Sequence, residues 1–580
     1  MTSARWLVTA TPPTPNGDLH LGHLSGPYLA GDVFSRHQRR LGADVAYLSG
    51  IDDHQSYTEL RAVRDGRGAA QTADWYGTRI RQAWSEAGIR FDLCSMPRTS
   101  PLHRTLTQGI FQQLVEQGDI VPRTRPLPYC VPCDRWAYEA YVVGDCPHCG
   151  ARACGNACEV CGLPNDCADL GSPSCTVCGA DCELRDCTRL YLPLEKHRRP
   201  LETFWTTAHM NHHLRALCSR ISDGGLPEIA VSHPADWGIP VPTAGYADQR
   251  IYVWFEMAAG YLAATGELAT RTGQAAWAES WRQKERVVQF FGFDNGYFHA
   301  VLFPVVMSAH DRATVLPAAF VSNEFYRLDG LKFSTSRQHA IWMLDALKEV
   351  AADQLRLYVS WDRPSTGQTS FSWPEFDGYF LSGPPRRWRT WLAELSRRRA
   401  SAAEIVTAAE LPTTAELPTT AGTFGTWERR LSDRDRARLA ARTGEALDGV
   451  DEALSVTGFS PRRAIARLDG LADEAAEFGS GLDTLLGNPA LHDDFVAGVR
   501  AELSAAAAFA AGLYPIAPQL AQQLWEGLRP GEKVEEASWH EVRAGLAVPL
   551  WTGDLLAQCS LLHPRTAGEP AATKPAAHVG

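Results

Sequence analysis

Along the N-terminal part of the chain, apolar and β-branched residues come in short runs halted by turn residues. RWLVTATPP (5–13) ends in two prolines and predicts a buried strand, and Pro15-Asn16-Gly17 predicts a turn. LHLGHLSGPYLAGDVFSRHQRRLG (19–42) repeats its apolar residues at helical spacing, and DVAYLSGIDDH (44–54) returns to a strand pattern. Strand, helix, strand in that order opens a parallel, doubly wound sheet of Rossmann type. Further on, RIYVWFEM (250–257) and RVVQFFGFD (286–294) predict two more strands, each followed by a helical stretch. One α/β domain is therefore split by an insertion. From about Pro374 the strand patterns fade, and segments such as RDRARLAARTGEALDGVDEAL predict a helical bundle.

The boundaries that follow are 1–115 and 251–330 for the two halves of the sheet domain and 116–250 for the insertion between them. Residues 331–375 form a loop and linker, 376–555 the helical domain and 556–580 a disordered tail. The doubled six-residue stretch in AELPTTAELPTTAG (409–422) carries prolines that break helix and predicts a surface loop without chemistry.

Composition narrows the class. With 580 residues, 45% hydrophobic and 21% charged, the chain is neither disordered, fibrous nor a small disulfide scaffold. Its apolar runs are broken before the ~18 residues of a membrane span, and its first residues lack a signal peptide's apolar core, so a soluble, cytoplasmic protein is expected. The formal charge of -11 leaves only a local basic patch to meet any nucleic acid.

Cysteine changes the picture most. Twelve of fifteen lie between Cys130 and Cys187, among them four CxxC pairs: Cys130/Cys133, Cys146/Cys149, Cys158/Cys161 and Cys175/Cys178. A two-residue gap lets both sulfurs wrap one ion, and two pairs complete a four-thiolate site, so eight ligands predict two zinc ions. Such sites leave no open position, so the zinc would be structural. Sequential pairing and nested pairing, inner four and outer four, both satisfy the spacing. Cys154, Cys167, Cys182 and Cys187 remain unassigned.

Two segments carry candidate chemistry. His20-Leu21-Gly22-His23 stands where the first strand passes to its helix, a common phosphate position, with two histidines on one face and a glycine that lets a ring approach. Lys332-Phe333-Ser334-Thr335-Ser336-Arg337 offers an ammonium, hydroxyls and a guanidinium in a loop, suited to pyrophosphate.

Together these segments resemble the HIGH and KMSKS signatures of class I aminoacyl-tRNA synthetases, and specifically the methionyl-tRNA synthetase family. The resemblance covers roughly residues 5–375. DWGIPVP (236–242), IYVWFE (251–256) and GFDNGYFH (292–299) belong to it, and the CxxC series is similar to the family's zinc-knuckle connective insertion. The resemblance implies an ATP-dependent ligase that makes an aminoacyl adenylate, with Mg2+ accompanying ATP. It implies that His20 and His23 stabilise the phosphates, Gly22 lies against adenine, Gly292 and Asp294 meet the ribose, and Lys332 steadies pyrophosphate with Ser334 and Ser336 beside it. Asp52, with Asp53 as rival, would bind the amino acid's ammonium, and Trp254, Tyr261 and His299 would surround its side chain.

The chain departs from the family at several points. Pro12-Pro13-Thr14 replaces a tripeptide whose aromatic closes over the amino acid, so a pocket wall is expected to be missing. Glu256-Met257-Ala258-Ala259 and Gly296 are expected to reshape the side-chain pocket, and Thr335 replaces a second lysine. Pro384-Pro385 is expected to break the helix that reads the anticodon, leaving Arg386, Arg387, Arg389, Arg397, Arg398 and Arg399, with Trp388 and Trp391, as a possible RNA surface. The expectation that follows is transfer of the acyl group to a small-molecule nucleophile in a biosynthetic pathway, with a separate partner enzyme. The alternative is a housekeeping methionyl-tRNA synthetase charging methionine tRNA. A third reading, a non-catalytic RNA-binding paralogue, is opposed by the intact His20, His23, Asp52, Asp294 and Lys332.

Overall fold

A computed structural model describes residues 5–282, 286–333, 339–410, 425–550, 555 and 560–563, with side chains described outside 409–432 and 560. The chain divides into two units. The first comprises Met1–Leu344, Asp362–Ser370 and Leu454–Pro461, and the second Asp345–Trp361, Phe371–Ala453 and Arg462–Gly580.

The first unit is built on a five-stranded parallel sheet. Its order is Ala319–Asn323, Arg286–Gly292, Arg5–Ala10, Asp44–Gly50, Leu93–Ser95, so the first strand of the chain lies in the middle. Leu7 sits opposite Val287 on one side and Ala46 on the other. Helices lie against both faces of this central strand, Leu29–Arg40 through Phe34 on Trp6 and Val253–Thr272 in one core with Leu7, which is why its residues read as one apolar run rather than an alternating one. The chain winds from the centre to one edge, leaves through the insertion, and returns to build the other edge. The carboxyl end of Arg5–Ala10 is therefore a topological switch point, where doubly wound sheets bind ligands.

The predicted first helix is bent. It forms as a turn Leu21–His23, a π-helical stretch Leu24–Tyr28 containing Pro27, and a helix Leu29–Arg40. Gly26 leaves helical geometry and Pro27 cannot donate, so the bend sits at these two residues. RIYVWFEM is not a strand as the pattern predicts. Only Gln249–Ile251 is extended, and Val253–Thr272 is a helix buried on nearly every side. A helix that is apolar all round hides its 3.6-residue period, and five consecutive aromatic or branched residues then imitate a buried strand.

Besides the short antiparallel pair Ser232–Pro234 and Gln249–Ile251, the insertion holds two larger antiparallel sheets. One pairs Val121–Cys130 with Glu183–Pro193 along nine residues; the other sets Glu139–Asp145 between Arg152–Gly155 and Gly171–Cys175.

The second unit is helical. Trp373–Ser382 stops at Gly383, and a new helix, Pro384–Glu410, begins on the two prolines. The expected break is present, but the prolines occupy the first turn, where a missing N–H is harmless, and they start a helix rather than spoil one. Trp388 and Trp391 point into the unit, 0% and 2% exposed, and Arg398 and Arg399 are each 1% exposed. Arg398 meets the buried Glu502 in a bidentate pair at 2.5 and 2.9 Å, and Arg399 donates to the carbonyls of Gly527 and Pro549. The expected RNA surface is thus largely core. Pro489–Leu513 is long and apolar enough to cross a membrane by length and composition, a longer run than the sequence reading allowed, and 78% of its window is buried inside the protein.

Candidate active site

Four strand ends of the sheet converge on one cleft of about 550 Å3. Thr11 and Pro12 follow the central strand, Asp52 follows Asp44–Gly50, Gly292 and Asp294 follow the next strand, and Asn323 and Glu324 close the far edge. The HLGH turn forms its floor. The backbone N–H of His20 donates to His23 Nδ1 at 3.1 Å, which leaves the proton of the neutral ring on Nε2. Burial holds His23 at a pKa of about 4 and also lowers His20, where a proton on His23 and the Lys332 ammonium would add to the effect, so both rings favour the neutral form. Gly22 is required by contact: an added Cβ would come within 2.9 Å of the His20 ring.

The second signature meets the first here. Phe333 stacks on His20 with ring centroids 4.6 Å apart and planes 8° from parallel, and His20 also pairs its backbone with Trp342. Lys332 lines the cleft, lies 4.7 Å over the Phe325 ring, and forms an ion pair with Glu159 of the Cys158/Cys161 knuckle. Ser334, Thr335 and Ser336 lie outside the described residues. Burial and Glu159 raise the Asp294 carboxyl to about 6, against the pull of Lys332. Gly292 leaves room for that carboxylate, since an added Cβ would stand 2.5 Å from Asp294 Oδ1.

Asp52 is buried at the back of the cleft, and its backbone N–H donates to the Pro13 carbonyl at 3.0 Å. Burial pushes its pKa well up, and Glu256, Glu139 and Asp53 push in the same direction against a hydrogen bond from Gln55. Asp53 is turned away, accepting from the Arg98 N–H at 3.3 Å. Pro12, Pro13 and Thr14, the segment expected to leave a wall open, line the cleft. Pro12 and Asp52 separate the cleft from a second, small cavity of about 40 Å3, lined also by Met257, Tyr261, Glu256 and His103. Trp254 faces the cleft and stacks on Phe298 at 3.7 Å. His299 lines neither space. It is fully buried behind Thr11, whose hydroxyl meets Nε2 at 2.8 Å, and Gln289, which meets Nδ1 at 3.1 Å. Gly296 does not reshape the pocket either: its missing side chain admits Leu214, which an added Cβ would approach to 2.8 Å.

Glu256 is the residue that the pattern did not single out for chemistry. Its Oε1 accepts from His54 Nδ1 at 2.8 Å and His103 Nε2 at 2.9 Å, and although burial opposes it the two histidines hold the carboxyl near 2. A lone acid in the apolar run VWFEMAAGYLAA was the available signal, because a buried carboxylate needs partners.

The cysteines settle on the nested arrangement. Cys130, Cys133, Cys175 and Cys178 form one group and Cys146, Cys149, Cys158 and Cys161 the other, with sulfurs within 4.8 Å of one another in each. Cross-pair separations of 3.4 and 4.0 Å in the outer group and 4.0 and 3.6 Å in the inner one match the ~3.8 Å edge of a tetrahedron with 2.3 Å Zn–S bonds. Both groups fit a structural zinc ion.

A doubly wound sheet with a nucleotide-sized cleft at its switch point, floored by two histidines and bordered by a lysine loop and a knuckled insertion, has the form of a class I aminoacyl-tRNA synthetase. A sequence profile for tRNA synthetases class I (M) matches residues 6–379. The methionine–tRNA ligase of Dehalococcoides mccartyi is 36% identical over 384 residues, 64% of this chain and 68% of that protein. The methionine–tRNA ligase of Porphyromonas gingivalis is 35% identical over 378 residues, 64% of this chain and 55% of that protein. The fold is that of Mycobacterium tuberculosis methionyl-tRNA synthetase, solved in complex with methionyl-adenylate: TM-score 0.73 at 18% identity, covering 95% of this chain and 99% of that one. The chain belongs to the tRNA synthetases class I (M), a family of ATP-dependent ligases.

Proposed function

We propose that the chain activates methionine with ATP and passes the methionyl group to tRNA. The observation that carries this reading is the stack of Phe333 on His20, which joins the two signature segments from opposite ends of the sheet unit's sequence into one phosphate-facing surface. The methionine carboxylate forms a bond to the α-phosphorus of ATP while the bond from that phosphorus to the β-bridging oxygen breaks, and pyrophosphate leaves with the electron pair. Such a step needs alignment and charge stabilisation rather than a covalent nucleophile. His20, His23 and Lys332 supply donors to the phosphate oxygens, Asp294 and Gly292 meet the ribose, and Asp52 pairs with the α-ammonium. A tRNA hydroxyl then attacks the acyl carbon and AMP departs. Magnesium comes with ATP, held mainly by phosphates and water. One zinc ion in each cysteine group would fix the insertion that borders the cleft.

A second reading, transfer to a small nucleophile, keeps one supporting observation: the arginines and tryptophans expected to meet RNA are largely buried or paired within the helical unit. The methionine–tRNA ligase relatives weigh against it. An ATP–pyrophosphate exchange panel over the twenty amino acids, followed by charging of total tRNA, tests both. Methionine-dependent exchange with stable aminoacylation of methionine tRNA is expected; exchange without aminoacylation would return the acceptor to a small molecule.

A further inference from the structure

The short segment Asp52–Ser56 carries the ammonium-facing carboxylate, and two buried glutamates hold it from two different parts of the unit. From the helix Val253–Thr272, Glu256 takes His54 at 2.8 Å and fastens the same oxygen to His103 at 2.9 Å. From the insertion, Glu139 Oε2 accepts from Ser56 Oγ at 3.1 Å, while Ser56 Oγ accepts from the Ala140 N–H at 3.3 Å. Glu139 is 3% exposed and Glu256 2% exposed. Glu139 also adopts φ 42°, a left-handed conformation that a glutamate adopts only when its surroundings enforce it. Its N–H meets Cys167 Sγ at 3.3 Å, so the strained residue is fixed on both its backbone and its side chain. Ser56, Asn156 and Tyr252 hydrogen-bond Glu139 but none is a cation, and burial raises its pKa to about 7, so it costs the fold stability as pH rises from the usual carboxylate range to that value. Packing alone gives no reason for a polar, strained residue here.

We propose that Glu139 and Glu256 are positioning residues for the amino acid, clamping Asp52–Ser56 at His54 and at Ser56 so that Asp52 faces the α-ammonium. This rests on the reading of Asp52 given above. The clamp has a chemical consequence that ordinary packing lacks. Both glutamates stand close enough to Asp52 to disfavour its charge in the empty site, and an arriving ammonium relieves that opposition. The site is therefore tuned to a cation, and the clamp links that tuning to the cysteine-rich insertion through Glu139.

The test is calorimetric titration of methionine, and of its 2-hydroxy analogue, into full-length wild type, Glu139→Gln, Glu256→Gln and Ser56→Ala, beside pyrophosphate exchange. A weakening of methionine affinity by about tenfold is expected in both glutamate variants, with the ATP KM within about twofold of wild type. The hydroxy analogue, which brings no charge to Asp52, should bind all proteins alike within about twofold. Equal losses for methionine and the analogue would mean general damage to the pocket and would overturn the clamp, as would unchanged methionine affinity. If Glu139→Gln does not fold, Ser56→Ala removes the same contact from the other side and decides the question. Wild type that binds no methionine would instead overturn the functional reading itself.

Discussion

The cleft and the helical unit use the same kinds of residue to opposite ends. In the cleft, His20, Asp52, Asp294 and Lys332 line open space; burial shifts the first three toward their neutral forms, and Lys332 pairs with Glu159 while still facing the cleft. In the helical unit the ionic groups close on one another: Arg398 on Glu502, Arg387 on Asp469 and Asp473, Arg397 on Glu394 and Asp483. Trp391 completes the first of these by donating to Glu502 at 3.0 Å. An arginine beside a tryptophan thus means ligand binding only where no partner lies within the protein. Function is read from polar groups that face open space, not from residue type.

The largest expected effect removes zinc from the insertion. Structural zinc sites in isolated peptides contribute about 10 kcal/mol or more, so stripping metal should unfold the two knuckles. Metal analysis is expected to give about two zinc ions per chain, and hydrogen exchange after chelation should show opening across 130–187 with the helical unit still protected. Protection lost equally in both units would break the contrast.

Acid sharpens it next. His37, His233 and His299 all belong to the sheet unit, and burial holds each near pKa 3, with Arg40 adding to it at His37 and Arg189 at His233. Unfolded, each takes a proton below about 6.5, so between those values the unfolded chain binds more protons and stability falls as pH falls. Melting followed from pH 7 to 4 should lower the sheet unit's transition. Asp294 and Glu139, raised by burial to about 6 and about 7, work the other way, and a Tm that rises on acidification would show that they outweigh the histidines.

Arg398→Met removes the cation that pairs with Glu502, leaving it the Trp391 N–H, and should cost about 3–5 kcal/mol of stability. Pyrophosphate exchange at temperatures below unfolding should be unchanged. His23→Ala is the mirror case: exchange should fall about 10²-fold or more while the melting temperature moves little. Either variant showing the other's phenotype would undo the distinction.

How much of this was legible in the sequence depends on whether the signal was local. The strands Arg5–Ala10, Asp44–Gly50 and Arg286–Gly292 and the eight cysteines stand at fixed short spacings, and each could be found from its neighbours alone. The nested pairing could not, because Cys130 meets Cys178 across a strand order that spacing does not encode. Gly296 failed for a similar reason. A glycine marks close approach, but only the fold shows that Leu214 approaches and not a ligand. Trp388, Trp391, Arg398 and Arg399 recur at helical spacing and allowed an RNA face or an arginine-rich surface helix, neither of which is the buried seam they form. Glu502, the buried partner of Trp391 and Arg398, lies more than a hundred residues away in the chain, beyond the reach of a local pattern.

The smallest effect tests the exposed remainder of that basic helix. Arg386 and Arg387 stay at the surface, and Arg387 already answers Asp469 and, at 3.5 Å, Asp473. Surface ion pairs of this kind contribute less than about 1 kcal/mol, and a guanidinium shared by two carboxylates has little field left for a phosphate. Replacing Arg387 by alanine should therefore leave stability within about 1 kcal/mol, and tRNA charging at moderate salt within about twofold. A phosphate-binding arginine would behave otherwise: its loss would weaken RNA binding across sequences and lower the salt dependence of that binding by about one ion. Binding isotherms of the Arg387→Ala variant with total tRNA at three salt concentrations separate the two cases. A reduced salt slope would show that the two aspartates release Arg387 to RNA, and that even a charge answered within the chain can be lent to a ligand.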